Sequence, residues 1–213
     1  MGFFDCMKEP PVKFGEEYPM FTRISIETCS TCTRRCSFCP VGERPAVLKQ
    51  MSSKLYENIL TQLFDIDFAG VVQWFYVNEP LMDRDHIERL DLLRAMAPKC
   101  TIHVTTNWDT MRRRPYGEQL EKITQLFNAG VNVLNLNAYE PELCGPYADL
   151  VYDACDRGYA MYSSEHVWKR VGPRKRILSA SDMSGASTSG EPFDLHTWGG
   201  SVEVKSAMQG KGY

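Results

Sequence analysis

The chain has 213 residues, of which 43% are hydrophobic and 24% charged, with a formal net charge of −3. A chain of this size can bury a full core without disulfide staples, and one domain is the default expectation. The composition excludes a disordered tail, a collagen-like rod and a coiled coil, and the slight acidity excludes a strongly basic nucleic-acid binder, though not a local basic patch. No apolar run reaches the ~18 residues that a membrane span needs. The opening segment MGFFDCMKEP has no charged-then-apolar leader, and Cys6 stands where a myristoylation signal wants Ser or Thr. These features predict a soluble, cytoplasmic protein.

Residues 1–18, rich in Pro, Glu and Lys, read as an extended arm. Phe21 to Thr28 alternates and is β-rich, which predicts a strand, and a cysteine-rich loop follows it directly. Residues 52–66 place Leu55, Ile59 and Leu63 at helical spacing. Gly70 to Val77 is a near-continuous apolar run, as buried parallel strands are. Residues 84–97 predict a helix with Ile87, Leu90 and Leu93 on one face, and Cys100 to Thr106 a third strand. Residues 116–129 predict a helix turning Leu120, Ile123 and Phe127 inward, and Val131 to Ala138 a fourth strand. A helix over 146–157 and a fifth strand from Tyr159 to Trp168 complete the pattern. Strand and helix thus alternate through short connections, which means parallel βα units. In such folds the chemistry collects at the C-terminal ends of the strands. After residue 178 the pattern stops. Residues 179–190 are small and polar and read as a loop or lid, and 193–205 as a hairpin turning at Gly199-Gly200. The expected organisation is an arm over 1–18, a βα body over 19–178 and an extension over 179–213.

Four of the eight cysteines, Cys29, Cys32, Cys36 and Cys39, fall within eleven residues. Clustered thiols in a chain without signs of secretion point to metal rather than to a disulfide framework. Two C-x-x-C knuckles could hold zinc, but zinc ribbons separate them more widely. Cys39-Pro40 echoes the end of a bacterial ferredoxin run, yet the internal spacings differ from that run. The third reading drops Cys29, as a buried thiol ending the first strand, and takes Cys32, Cys36 and Cys39. Cys100 and Cys155 look like small buried hydrophobes.

The spacing Cys32-x3-Cys36-x2-Cys39, with the aromatic Phe38 before the last thiol, resembles the signature of the radical S-adenosylmethionine (SAM) superfamily. The resemblance covers roughly residues 20–170. It implies a partial (β/α) TIM-like barrel of about five to six units, open on one side, to which the short C-terminal loop and hairpin form an extension. It also implies a [4Fe–4S] cluster held by Cys32, Cys36 and Cys39, whose fourth iron takes SAM. Reductive cleavage of SAM then gives a 5′-deoxyadenosyl radical that abstracts hydrogen from a substrate. An external electron donor of the flavodoxin or ferredoxin type follows from that chemistry.

The remaining strand ends extend the resemblance. Asn78-Glu79-Pro80 is similar to the family's Gly-Gly-Glu-Pro segment, where the acidic residue receives the methionine ammonium. Here neither residue before Glu79 is glycine, and a turn with a helix-capping Glu is the plain alternative. Thr105-Thr106-Asn107 is similar to a Thr-Asn-Gly segment in which Trp108 replaces the glycine, and Asn107 could line the cavity. Asn135 and Asn137 alternate and point together, which makes Asn137 the candidate for the ribose. Ser163 and Glu165 share a face of the fifth strand. The cations Lys169, Arg170, Arg174, Lys175 and Arg176 could meet the SAM carboxylate, or form a solvated face. Arg112, Arg113 and Arg114 form a second basic cluster, read first as a solvated loop. The nearest branch by resemblance is the peptide-modifying SPASM type, although no cysteine follows Cys155 to hold an auxiliary cluster. The resemblance implies a peptide substrate, with a nucleotide or RNA as runner-up because of the two basic clusters, and a small molecule stays open as the partner. A non-catalytic iron–sulfur or zinc protein is the other class in play. The sequence leaves the oligomeric state open.

Overall fold

The structure is a computed structural model, and it describes residues 12–14, 18–36, 39, 48–162 and 175–183. Six strands form one wholly parallel sheet: β3 (Arg23–Ser25), β4 (Val71–Gln73), β5 (Thr101–Thr106), β6 (Val133–Ala138), β7 (Met161–Tyr162) and β8 (Ile177–Asp182). Their spatial order is β3-β4-β5-β6-β8-β7. Four helices connect them: α1 (Ser53–Asp65), α2 (His86–Met96), α3 (Tyr116–Asn128) and α4 (Pro141–Asp156). This is the expected partial (β/α) barrel.

The register sorts the sheet residues onto two faces. Ile24, Val72, Ile102, Val104, Leu134, Leu136 and Leu178 fall on one, and they join Leu60, Leu93, Ile123, Leu126 and Leu150 of the helices in a single apolar cluster. The opposite face carries Ser25, Gln73 and His103 in one cross-sheet row, which runs on to the apolar Val133 and Ile177. Thr105, Asn135 and Ser179 form the next row, and Asn137 and Ser181 the last. From Gln73 onward all are buried, and above the floor made by Val133 and Ile177, towards the C-terminal strand ends, none is apolar. A sheet with helices on both faces would carry Val, Ile and Leu there. A polar inner face is what a barrel lumen built to hold something polar requires.

The helices lie close to their expected positions. Ser52 caps α1, its hydroxyl accepting from the Leu55 N–H at 3.3 Å. The buried face of α1 is Tyr56, Leu60 and Leu63, whereas Leu55 is half exposed, so the inward stripe sits one residue later than the spacing of Leu55 and Ile59 suggests. Leu120, Ile123 and Phe127 of α3 face inward as expected. Helix α4 begins at Pro141, five residues before the sequence expectation, because Pro141 occupies its first turn and Pro146 is carried inside it.

Three strand expectations need correction. The arm carries a short antiparallel pair, β1 (Val12–Phe14) with β2 (Tyr18–Met20). The loop expected from residue 179 begins with strand instead, since β8 runs to Asp182 and pairs with β6 at six consecutive positions. Ser and Ala have little intrinsic preference for strands. Long-range pairing makes this one, and the Ser179 and Ser181 hydroxyls both donate to Asn135 Oδ1, at 2.8 and 3.0 Å. Third, β8 takes the place beside β6 that chain order would give to the fifth strand, and β7 lies outside it at the sheet edge. The expected hairpin at 193–205 lies outside the described residues.

Candidate active site at the strand ends

The cysteine loop leaves the C-terminal end of β3 and returns to α1 through a short antiparallel stem. Ser30 N–H donates to Lys49 O at 2.9 Å, Met51 N–H donates to Thr28 O at 2.8 Å, and Cys29 bridges Gln50. Cys29 is buried in this stem. Its thiol donates to Glu79 O at 3.4 Å and accepts from Asn78 Nδ2 at 3.5 Å. Burial raises its pKa above the ordinary thiol value. This is a packed, hydrogen-bonded group, as the sequence reading of Cys29 expects.

Cys32, Cys36 and Cys39 lie beyond the stem, each partly exposed. The Cys39 N–H donates to Cys36 O at 3.0 Å, which holds these two thiol-bearing residues together. Cys32 Sγ accepts from the Arg34 N–H and from Asn107 Nδ2, both at 3.4 Å. Burial pushes the Cys32 thiol up to about 12 and the Cys36 thiol up to about 11, and the neighbouring thiols add to both shifts. Among the described residues no three Cys, His, Asp or Glu side chains converge on a single-ion position. An iron–sulfur cube makes a different demand, because each thiolate takes a different iron. Three thiols on one loop, with N–H groups aimed at a sulfur, fit that group and suit a closed zinc site poorly, since zinc would want a fourth ligand.

The other strand ends close around this loop. Glu79 follows β4 and is buried. Its Oε1 accepts from Thr106 Oγ1 at 2.5 Å and from the Leu81 N–H at 3.1 Å, and its Oε2 from the Asn107 N–H at 2.8 Å. The Leu81 bond caps a 3-10 turn, Pro80–Met82, whose first residue is the buried Pro80. Burial raises the Glu79 pKa to about 7, against the pull of those three donors. The carboxylate therefore ties the β4 end to the β5 end and realises the capping alternative. Asn78 uses its amide on Tyr76 N–H and on Cys29, and no positive φ is needed there.

Asn107, at the end of β5, is the hub of the site. Besides Cys32 it donates to Thr33 Oγ1 at 2.9 Å, and its carbonyl accepts from the Tyr147 hydroxyl at 3.0 Å. The next residue, Trp108, has φ +59°, in the left-handed region that favours glycine. That strain explains a glycine in the segment Trp108 resembles. Trp108 tolerates it because its ring is fully buried and its Nε1–H donates to Gln119 at 3.0 Å.

On the inner face, Asn135 Nδ2 donates to Asn137 Oδ1 at 2.7 Å and Asn137 Nδ2 donates to the Tyr139 hydroxyl at 3.4 Å. The two amides do point together, and they are satisfied by one another, by Tyr139 and by the β8 serines. His103 is buried beside Thr105 and edge-on to Phe75.

Sequence reasoning missed Arg34. Its guanidinium grips Glu140 with two bonds, at 2.8 and 2.9 Å, and Asp109 with one at 2.6 Å, and it lies 4.8 Å over the Tyr139 ring. Burial opposes its charge, but the hydrogen bonds that it donates to Glu140 and Asp109 outweigh burial and hold its pKa above the ordinary value. Its partners lie 75 and 106 residues away. The available signal was two acids, Asp109 and Glu140, at consecutive strand ends with a cation between ligand cysteines. Of the basic clusters, Arg112 pairs with Asp109 at 3.1 Å. Arg176 immediately precedes β8 and donates to Asn128 at 3.1 Å, so it stands at the opposite end of the sheet from the cysteines, away from any SAM carboxylate. Phe38, Ser163 and Glu165, with Lys169, Arg170 and Arg174, lie outside the described residues.

Comparison with known proteins agrees with this geometry. The sequence model of the Radical SAM superfamily matches residues 26–144, more than half of the chain. The chain belongs to the radical SAM superfamily. Members of that superfamily use a [4Fe–4S] cluster and SAM. A curated relative, the S-adenosyl-L-methionine-dependent 2-deoxy-scyllo-inosamine dehydrogenase of Niallia circulans, is 30% identical over 113 residues, covering 50% of this chain and 42% of the relative. Among solved structures, BtrN in complex with AdoMet and 2-DOIA aligns with a TM-score of 0.56 at 19% identity, over 78% of this chain and 58% of that one. An open conformation of selenomethionine BtrN aligns at 0.50 and 17%, over 81% and 59%. The radical SAM chain thus spans less than two thirds of each of these relatives, and the structural likeness is one of fold.

Proposed function

We propose that the chain is a radical SAM enzyme that removes a hydrogen atom from a small, hydroxyl-bearing substrate held on the inner face of its sheet. The observation that carries this reading is the conjunction of a three-thiol loop with a buried polar face directly below it. When bound to the cluster held by Cys32, Cys36 and Cys39, SAM supplies the 5′-deoxyadenosyl group that accepts the hydrogen. The protein's own residues orient and enclose. Asn107 and the Arg34 N–H donate to the Cys32 sulfur, and such bonds set cluster potential. Glu79 joins the ends of β4 and β5, and by resemblance it, with Asn78 and Pro80, would receive the methionine ammonium. Asn137, at the C-terminal end of β6, would be the partner of the ribose. Phe38 and Ser163 belong to the same proposed cofactor pocket by resemblance.

Gln73, His103, Thr105, Asn135, Ser179 and Ser181 offer hydroxyls, amides and an imidazole without a fixed charge, which suits neutral hydroxyl groups better than phosphates. The 2-deoxy-scyllo-inosamine named for the N. circulans relative carries such hydroxyls beside an amine. A peptide substrate is the second reading, favoured by the Cys-Ser-Phe38-Cys-Pro segment. No helix among the described residues is long and apolar enough to cross a membrane, and the reading includes a cytoplasmic setting with a flavodoxin- or ferredoxin-type donor.

The test is an anaerobic reaction of reconstituted protein with SAM and dithionite, reading 5′-deoxyadenosine with cyclitols, sugars or peptides added. Stimulation by a cyclitol or sugar supports the reading. Stimulation by peptides alone moves it to the peptide branch, and no SAM cleavage under any condition overturns it.

A further inference from the structure

We infer that Arg34 is a positioning residue that sets the pitch of the cluster loop by clamping it to the ends of β5 and β6. The inference rests on the cluster assignment above but assigns a residue that the ligand motif does not.

Arg34 lies midway between Cys32 and Cys36, so anchoring its side chain fixes the loop between two ligands. The anchor has three parts from two strand ends: Asp109 after β5, Glu140 at the entry to α4, and the Tyr139 ring at the end of β6. Asp109 is itself loaded, since its other oxygen accepts from Thr33 Oγ1 at 3.1 Å and Arg112 approaches its Oδ1. The Arg34 side chain and Asp109 are each only 12% exposed, whereas Glu140 is 38% exposed. The Asp109 arm is thereby separated from surface ion pairs, which contribute little.

The clamp is not needed to hold β5 to β6, which already pair at four positions. Arg34 comes from a third element, so what the clamp fixes is the loop. The planar guanidinium is matched to the task, because a fork binds a carboxylate with two parallel bonds in one orientation and an ammonium does not. The anchor also reaches the inner face: Tyr139, under Arg34, accepts from Asn137, which is bonded to Asn135 and through it to the β8 serines.

The experiment compares full-length wild type, Arg34→Lys, Arg34→Ala, Glu140→Gln and the exposed control Arg113→Ala after anaerobic reconstitution. Readouts are iron per chain, the rate of iron loss to a chelator, the electron paramagnetic resonance spectrum of the reduced protein with and without SAM, and the melting temperature. Groups supporting a metal ligand typically change affinity by ~10–100-fold when removed, so Arg34→Ala is expected to lose iron at least ~10-fold faster. Arg34→Lys should behave nearly as badly despite its charge, and Glu140→Gln should fall between. Both Arg34 variants should lose or broaden the spectral change that SAM induces, while Arg113→Ala matches wild type. Arg34→Lys with wild-type iron retention and a wild-type SAM response overturns the clamp. So does a lowered melting temperature with an unaltered spectrum, which would make Arg34 merely structural. Should Arg34→Ala not fold, the Lys and Glu140 variants decide. A wild-type chain that takes up no iron and sulfide overturns the cluster assignment instead, a result distinct from all of these.

Discussion

Two arginines close the two ends of the sheet, and they do so in opposite ways. At the N-terminal end, Arg94 of α2 donates to the carbonyls of Cys100 at 2.9 Å and Gly130 at 2.7 Å and to the Asn132 side chain at 2.5 Å. Asn132 in turn accepts from the Ile102 N–H, at 2.9 Å. At the C-terminal end, Arg34 binds carboxylates. Burial lowers the Arg94 pKa, whereas the acids around Arg34 raise its own. A cation facing neutral carbonyls stitches backbone together and serves the fold. A cation facing carboxylates holds a loop whose thiols have chemistry to do. The difference matches the general division of βα barrels into a stability end and a functional end.

The comparison breaks most visibly at the cysteines. Cys36→Ala should remove the cluster and all SAM cleavage while shifting the stability of the cluster-free chain by less than about 0.5 kcal/mol, as partly exposed substitutions do. Iron analysis and a urea melt on the same preparation check both halves. Arg94→Ala should do the reverse. It strands several acceptors, and each buried group left unpaired costs roughly 1–3 kcal/mol. The cost should appear as a lower urea midpoint, with the iron content of the folded fraction intact.

Trp108→Gly sharpens the division, because it is a structural residue at the functional end. Relieving the left-handed backbone returns about 1–2 kcal/mol, but losing a buried aromatic costs roughly 3–5 kcal/mol. Net destabilisation is therefore expected, and a more stable glycine variant would show that strain dominates. The smallest effect concerns Glu79. Its folded pKa, about 7, lies above the usual carboxylate range because the group is buried. The folded state therefore binds the extra proton. Stability from the neutral form is complete below the unfolded pKa and is lost as pH rises through about 7. Glu79→Gln should flatten that decline between roughly pH 4 and pH 8. An unchanged pH profile of the melting temperature would show that the carboxylate stays ionised throughout.

Much of this was legible in the sequence for a physical reason. Helices α1 and α3 and strand β5 carry their own periodicity, so local pattern and tertiary fold agree. The thiol spacing is likewise local. Strand β8 was hidden because Ser179-Ala180-Ser181 becomes strand only by pairing with β6, and its hydroxyls find Asn135 more than 40 residues away. Arg34 was hidden similarly, since a charged residue on a loop reads as solvated until its partners on two other strand ends are known. The Glu79 cap was visible as an alternative, and its three donors from β5 and the following turn were not.

The stem at Cys29 and Gln50 carries a consequence for how such a chain can change over time. It closes the cysteine loop with backbone bonds that are indifferent to the side chains inserted between its two halves. Closure entropy grows only slowly with length, by about 0.6 kcal/mol for each doubling. A change of length after Cys39 therefore costs the closure little, whereas Cys32 and Arg34 stay fixed by their own bonds to Asn107, Asp109 and Glu140.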